Sequence, residues 1–139
     1  MRSTTSNVEY YQDDPDIVAT IMIDGKPIKL RTSPEFETFM KSLEPLDPEA
    51  MFQQSIWLQQ MSQAVADGIQ AETQTLRLNG RQLVPVATPE AKAFLDSLLS
   101  LNLDDAHRRA VAVMLETIAK QLFDVATDRD ASLLSGGNQ

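Results

Sequence analysis

Apolar and polar positions fall into short blocks along this chain, and the blocks come twice. "DIVATIMI" (residues 16–23) and "KPIKLR" (26–31) are β-rich runs on either side of Asp24-Gly25, and "TQTLRL" (73–78) and "RQLVPV" (81–86) flank Asn79-Gly80 in the same way. Asp-Gly or Asn-Gly between two such runs predicts a hairpin with a type I′ turn, because both central residues of that turn need positive φ. Each return run carries a proline, Pro27 or Pro85. Proline cannot donate to a ladder and belongs at a sheet edge. The simplest expectation is a sheet of four antiparallel strands with the two leading strands adjacent at its centre.

After each hairpin the apolar period lengthens to that of a helix. Ser33-Pro34-Glu35 and Thr88-Pro89-Glu90 each supply a hydroxyl N-cap, a proline at the first helical position and an acid near the positive helix end. Asp47-Pro48-Glu49 repeats the logic for a second helix, and Asn102, followed by Asp104 and Asp105, does so more loosely for the last. Met51, Leu58, Met61 and Val65 recur at helical spacing, widened by Phe52 and Ile56, and Gly68 is the expected breaker. Val111, Met114, Ile118, Leu122 and Val125 form the stripe of the last helix, flanked by Ala110, Val113, Leu115 and Phe123. Stripes this wide suit helices lying between the sheet and either a pseudo-symmetric mate or another subunit.

A shift of 55 residues superimposes 23–43 on 78–98 without a gap, matching Gly25 to Gly80, Pro34 to Pro89, Glu35 to Glu90, Phe39 to Phe94, Ser42 to Ser97 and Leu43 to Leu98. Roughly one or two identities are expected between unrelated stretches of that length. The matches include the turn glycine, the helix-start proline and its acid, which are the positions with the strictest backbone demands. The expected fold class is therefore α+β: a tandem ββαα duplication forming a pseudo-twofold domain with a small antiparallel sheet and four helices. Its parts are a polar N-terminal arm (1–16), a first repeat (17–70), a second repeat (71–126) and a flexible C-terminal arm (127–139).

Composition narrows what such a domain does. Of 139 residues 42% are hydrophobic, enough for a packed core, and the net charge is −8. That acidity argues against direct nucleic-acid binding and against an anionic membrane surface, since both rely on clustered Lys and Arg. There is no cysteine, which removes disulfides, thiolate nucleophiles and thiolate zinc sites. The first residues have no apolar core of the secretory kind, so export by a signal peptide is not expected; the expected location is the cytoplasm or a particle assembled there.

Candidate chemistry is sparse. His107, the one histidine, lies among charges in "DDAHRRA", where a solvated position is the plain reading. A spatial Ser–His–Asp triad stays open, although no G-x-S-x-G elbow is present. Asp13, Asp14 and Asp16 lack the glycine and alternating ligands of a calcium loop, and Asp124, Asp128 and Asp130 read as a helix end. "SGG" (135–137) lacks the lysine and helix of a phosphate loop. No catalytic, cofactor-binding or metal-ligating residue is designated, and no cofactor is expected.

Residues that face partners are easier to nominate. The first hairpin carries Lys29 and Arg31 where the second has Val84 and Val86. The charged pair forms either rim ion pairs or a basic docking surface on an acidic body. Trp57 falls off the main stripe, where tryptophan serves as core or as interface anchor. Tyr10 and Tyr11 on the first arm, and Leu133 and Leu134 on the last, are apolar anchors in polar surroundings. The expected function is a non-catalytic protein–protein interaction or assembly module: a homo-oligomer or a structural component of a larger particle such as a phage virion. The alternative is a small acidic inhibitor or regulator that occupies a basic site on another protein. A third reading is an enzyme with a cleft between the repeats and His107 at its rim.

Overall fold

Asp24 and Gly25 take φ of 52° and 80°, the left-handed pair that a type I′ turn demands. In the computed structural model, which describes residues 16–68, 72–78, 80–101 and 103–133, this turn joins β1 (Ile17–Ile23) to β2 (Lys26–Arg31). Helices α1 (Pro34–Leu43) and α2 (Pro48–Asp67) follow; then come β3 (Leu76–Leu78), β4 (Arg81–Leu83), α3 (Pro89–Leu99), α4 (Asp105–Arg129) and a 3-10 turn at Ala131–Leu133. The class is α+β, with four helices and two small antiparallel strand pairs. Gly80 also has φ of 80°, while Asn79 lies outside the described residues.

The helix starts form as their sequences predict. Ser33 Oγ accepts from Phe36 N at 3.1 Å, Asp47 Oδ1 from Ala50 N at 2.8 Å, and Thr88 Oγ1 from Ala91 N at 3.2 Å. Each satisfies an amide that the first helical turn leaves without an internal partner. The last helix is capped by Asp104, whose Oδ1 accepts from His107 N at 2.7 Å. Helix α2 ends at Gly68, with φ of 69°, the residue type that tolerates a left-handed cap.

Two features of the predicted layout change. The strands do not form one four-stranded sheet: β1 pairs with β2 and β3 with β4, as separate two-stranded ladders. The second ladder holds three pairs, Leu76–Leu83, Arg77–Gln82 and Leu78–Arg81. Past Leu83 the chain leaves it: Pro85 has no N–H to donate, and Val86 N donates instead to Gln53 O of α2 at 3.2 Å. So short a strand gives a neighbouring leading strand little to pair with. The second change concerns the chain's end. Helical backbone runs to Arg129, and Leu133, placed by sequence in a flexible arm, is buried with 2% of its surface exposed.

Helix α1 packs against α3 and α2 against α4, while β1 and β2 lie on α4. At the first contact the rings of Phe39 and Phe94 stack with centroids 5.2 Å apart and 11° between planes, and Phe36 tilts against Phe94 at 5.3 Å. Phe52 and Phe123 meet across α2 and α4 at 5.4 Å. Such pairs contribute about 0.5–1.5 kcal/mol each beyond area burial. Eleven of the 20 residues of α2 are buried, more than a single stripe provides, so α2 is covered on more than one side. Trp57 is therefore enclosed in the core, 6% exposed, although it lies off the Met51–Leu58–Val65 face.

Candidate functional site

The seam between the two halves of the chain brings apolar, hydroxyl and charged side chains together. Ser33 ends the link from β2, α1 begins on a proline, and α3 lies against α1 through the phenylalanine stack, so β2, α1, α3 and the start of α4 surround one hollow. It is a cavity of about 520 Å³. Its floor is apolar: Phe94 and Val111 are each 2% exposed and Met114 is 7% exposed, with half-buried Phe36 and Leu98 beside them. Its mouth is polar and charged, with Lys29, Arg31, Glu35 and His107.

His107 owes its position to the cap of α4. Its backbone N–H and its Nδ1, at 2.7 and 2.9 Å, both meet Asp104 Oδ1. The backbone N–H first, and the imidazole second, hold the Asp104 carboxyl below the usual carboxylate range. The serines in the wall are occupied locally. Ser97 Oγ donates to Phe94 O at 2.7 Å, Ser100 Oγ donates to Ser97 O at 2.8 Å, and Ser33 Oγ is the cap of α1. Among the described residues no three of His, Asp and Glu converge as a metal site requires.

Two contacts fasten the halves together near this seam. At the tip of the first hairpin Asp24 receives two bonds from Arg109 of α4, Nη1 to Oδ2 at 3.0 Å and Nη2 to Oδ1 at 3.4 Å. The guanidinium holds the Asp24 carboxyl below its ordinary pKa, by hydrogen bonding and then by charge. Deeper, Gln54 of α2 is 1% exposed, and its Oε1 accepts from both Thr88 N at 2.9 Å and Thr88 Oγ1 at 3.0 Å. Its Nε2 is buried without a partner among the described residues.

The second hairpin is built differently. Leu83 is buried, but Leu76, Val84 and Val86 are 43%, 38% and 45% exposed. Of the residues nominated by sequence, Lys29 and Arg31 line the cavity mouth, while Val84 and Val86, both exposed, lie on the segment past the second ladder. Trp57 and Leu133 are core residues of the described chain. Tyr10, Tyr11 and Leu134 lie outside the described residues. Sequence reasoning missed Gln54 and Arg109. Nothing marks a glutamine on an inner helix face, and Arg109 stands 85 residues from its partner. The phenylalanine floor was partly visible, since Phe39 and Phe94 were already an aligned pair.

The fold is α+β, with two separate hairpins and helices packed α1 on α3 and α2 on α4. No family model, no curated protein and no solved structure shows a significant match to it. No helix among the described residues is long and apolar enough to cross a membrane.

Proposed function

We propose that the chain is a non-catalytic protein–protein interaction module that assembles with copies of itself, as a homo-oligomer or as a structural subunit of a larger particle such as a virion. The observation that carries this reading is the second hairpin. It presents Leu76 to solvent on a two-stranded ladder with no third strand among the described residues, and Val84 and Val86 to solvent on the segment just past that ladder. Open edges beside apolar side chains invite pairing with another chain. A second copy suits the charges: Arg77 lies on this hairpin, and acids such as Glu35, Glu37, Glu90 and Asp96 lie on the short helices. The wall serines of the seam cavity, Ser33, Ser97 and Ser100, are bonded to nearby backbone, which favours a binding role over a nucleophilic one.

The same reading takes the chain as a tandem ββαα duplication with pseudo-twofold symmetry. Supporting it, α1 and α3 start 55 residues apart and touch through Phe39 and Phe94, an aligned pair. A shallow hollow between them is lined by three more pairs at that spacing, Pro34 and Pro89, Glu35 and Glu90, Thr38 and Ala93. Duplication supplies two related hairpins, one committed to the core of the chain and one left for docking.

Size-exclusion chromatography with light scattering, run over a range of concentrations, tests the proposal. Wild type is expected to be multimeric, and the double variant Val84→Lys/Val86→Lys monomeric, with unchanged far-UV circular dichroism. A wild-type monomer at every concentration would overturn self-assembly. A basic partner protein captured by the chain and lost steeply as salt is raised would favour the acidic-inhibitor alternative instead.

A further inference from the structure

A difference between the two halves of the chain coincides with the seam cavity. The long helices are both capped by an aspartate, Asp47 for α2 and Asp104 for α4, so they correspond at a shift of 57 residues (104 − 47). On that shift buried Leu58, Met61 and Val65 fall on Leu115, Ile118 and Leu122, which are buried as well. Gln54 then falls on Val111, and Trp57 on Met114. Gln54 Oε1 accepts from the N–H and the hydroxyl of Thr88, the cap of α3. Ser33, the cap of α1, precedes Thr88 by 55 residues (88 − 33) and lines the seam cavity together with Val111 and Met114. The same meeting of a long helix with a cap therefore occurs twice, and only one of the two has an acceptor in it. Val111 is apolar and shorter than a glutamine, and Met114 is slimmer than a tryptophan. Ser33 accepts through Oγ from Phe36 N and through its carbonyl from Glu37 N, while neither its N–H nor its hydroxyl donates to a described residue.

We infer that the cavity binds a small neutral molecule made of an aromatic body and an amide, the two groups that Trp57 and Gln54 supply at the corresponding positions; this rests on the duplication proposed above. The amide carbonyl accepts from the N–H and hydroxyl of Ser33, as Gln54 does from Thr88, and the aromatic body lies on Phe94, Val111 and Met114. These three are 2%, 2% and 7% exposed, so an apolar body placed on them leaves water. The volume of about 520 Å³ lies within the roughly 300–1,000 Å³ common for small-ligand sites. The mouth gives no reason for a charged head group. Lys29 and Arg31 each have an interaction partner already, His107 Nδ1 lies 2.9 Å from Asp104 Oδ1, and Glu35 lines the same rim. Ser97 and Ser100 spend their hydroxyls on backbone carbonyls. Ser33 is the donor that selects a carbonyl-bearing ligand over a plain hydrocarbon, because a donor left without an acceptor in the bound state costs free energy. Self-assembly through the second hairpin uses none of these residues, so either proposal stands without the other.

The test uses the full chain and three probes with one ring system: indole-3-acetamide, 3-methylindole and indole-3-acetate. Calorimetry and amide NMR follow binding. The acetamide is expected to bind saturably, with shifts centred on Ser33, Phe94, Val111 and Met114. 3-Methylindole, which has no acceptor, should bind about three- to tenfold more weakly, and the acetate no more tightly than the acetamide. Ser33→Gly keeps a tolerated helix cap and should weaken the acetamide about threefold while leaving 3-methylindole within about twofold. Val111→Gln gives α4 the side chain that α2 has; it should move the Ser33 amide resonance with no probe present and abolish acetamide binding. Where Val111→Gln is misfolded by circular dichroism, Met114→Trp takes its place and should exclude all three probes. A Ser33 amide unmoved in folded Val111→Gln would overturn the correspondence between the halves, and the choice of an amide with it. An acetamide that fails to saturate, binds no better than 3-methylindole, binds about tenfold more weakly than the acetate, or shifts residues away from the seam would overturn the site and leave the duplication standing.

Discussion

Replacing Gln54 separates what holds the two halves of this chain together from what merely fills space. Its Oε1 takes both the amide and the hydroxyl of Thr88, and the same hydroxyl caps α3 by accepting from Ala91 N. In Gln54→Ala the Thr88 amide loses its acceptor in a part-buried site, which costs about 1–3 kcal/mol. The missing side-chain atoms leave a void that adds on the order of 1–2 kcal/mol. Against this, removing the orphaned Nε2 returns about 1 kcal/mol or more of desolvation cost. The net expectation is a loss of about 1–4 kcal/mol. Gln54→Met keeps the volume and also removes the orphan, so it should cost about 1 kcal/mol or less. Urea unfolding followed by the fluorescence of buried Trp57 reads the difference. With a slope of about 2 kcal/mol per molar for a chain of this size, Gln54→Ala should move the midpoint by about 0.5–2 M. A cycle pairing Gln54→Met with Thr88→Val should give a coupling of about 0.5–1.5 kcal/mol. An alanine variant within about 0.5 kcal/mol of wild type, or a cycle that closes to zero, would refute the claim that this bond fastens the halves.

Three other outcomes follow from the same structure. Gly25 has φ of 80° and open space where a Cβ would go, so Gly25→Ala should cost about 1–2 kcal/mol through backbone strain alone, and Gly25→Asn clearly less, by thermal unfolding. Phe39→Ala and Phe94→Ala, at positions 0% and 2% exposed, should each cost about 3–5 kcal/mol, and the double variant less than their sum because the stack is lost only once. Asp24 has its folded pKa lowered by Arg109 from a reference of 3.8. Its contribution is therefore present above that reference and fades as pH falls through the lower folded value. Asp24→Asn should flatten that acid-limb dependence below about pH 4 while leaving the neutral-to-basic limb unchanged, measured by urea midpoints across pH.

Legibility in the sequence tracked how local the deciding interaction is. The Asp24-Gly25 turn and the caps at Ser33, Asp47 and Thr88 were visible because each is settled within four residues. The cap of α4 was read loosely because Asn102, Asp104 and Asp105 compete within one short stretch, and only the backbone path selects Asp104. The second ladder was overestimated because "TQTLRL" and "RQLVPV" both have strand-like composition. What shortened it was a nonlocal acceptor, Gln53 O of α2, that takes Val86 N away from the sheet. Trp57 was ambiguous for a related reason: a helical stripe identifies one buried face, and it cannot reveal that a second face is covered as well. At the seam, Lys29 and Arg31 stood out as charges where the second hairpin has Val84 and Val86. The phenylalanine floor beneath them depends on α1 meeting α3.

The amino-acid sequence by itself determined the order of elements, the turns, the helix starts and the apolar faces, because those follow from φ preferences, capping and periodicity over a few residues. Tertiary structure alone decided which faces meet and therefore where the site is. It stacked Phe39 on Phe94, brought Arg109 to Asp24, buried Gln54 against Thr88 and split the strands into two ladders. These are contacts between distant segments, selected by packing and by the need to satisfy buried donors and acceptors, and no local pattern encodes which distant partner will satisfy them.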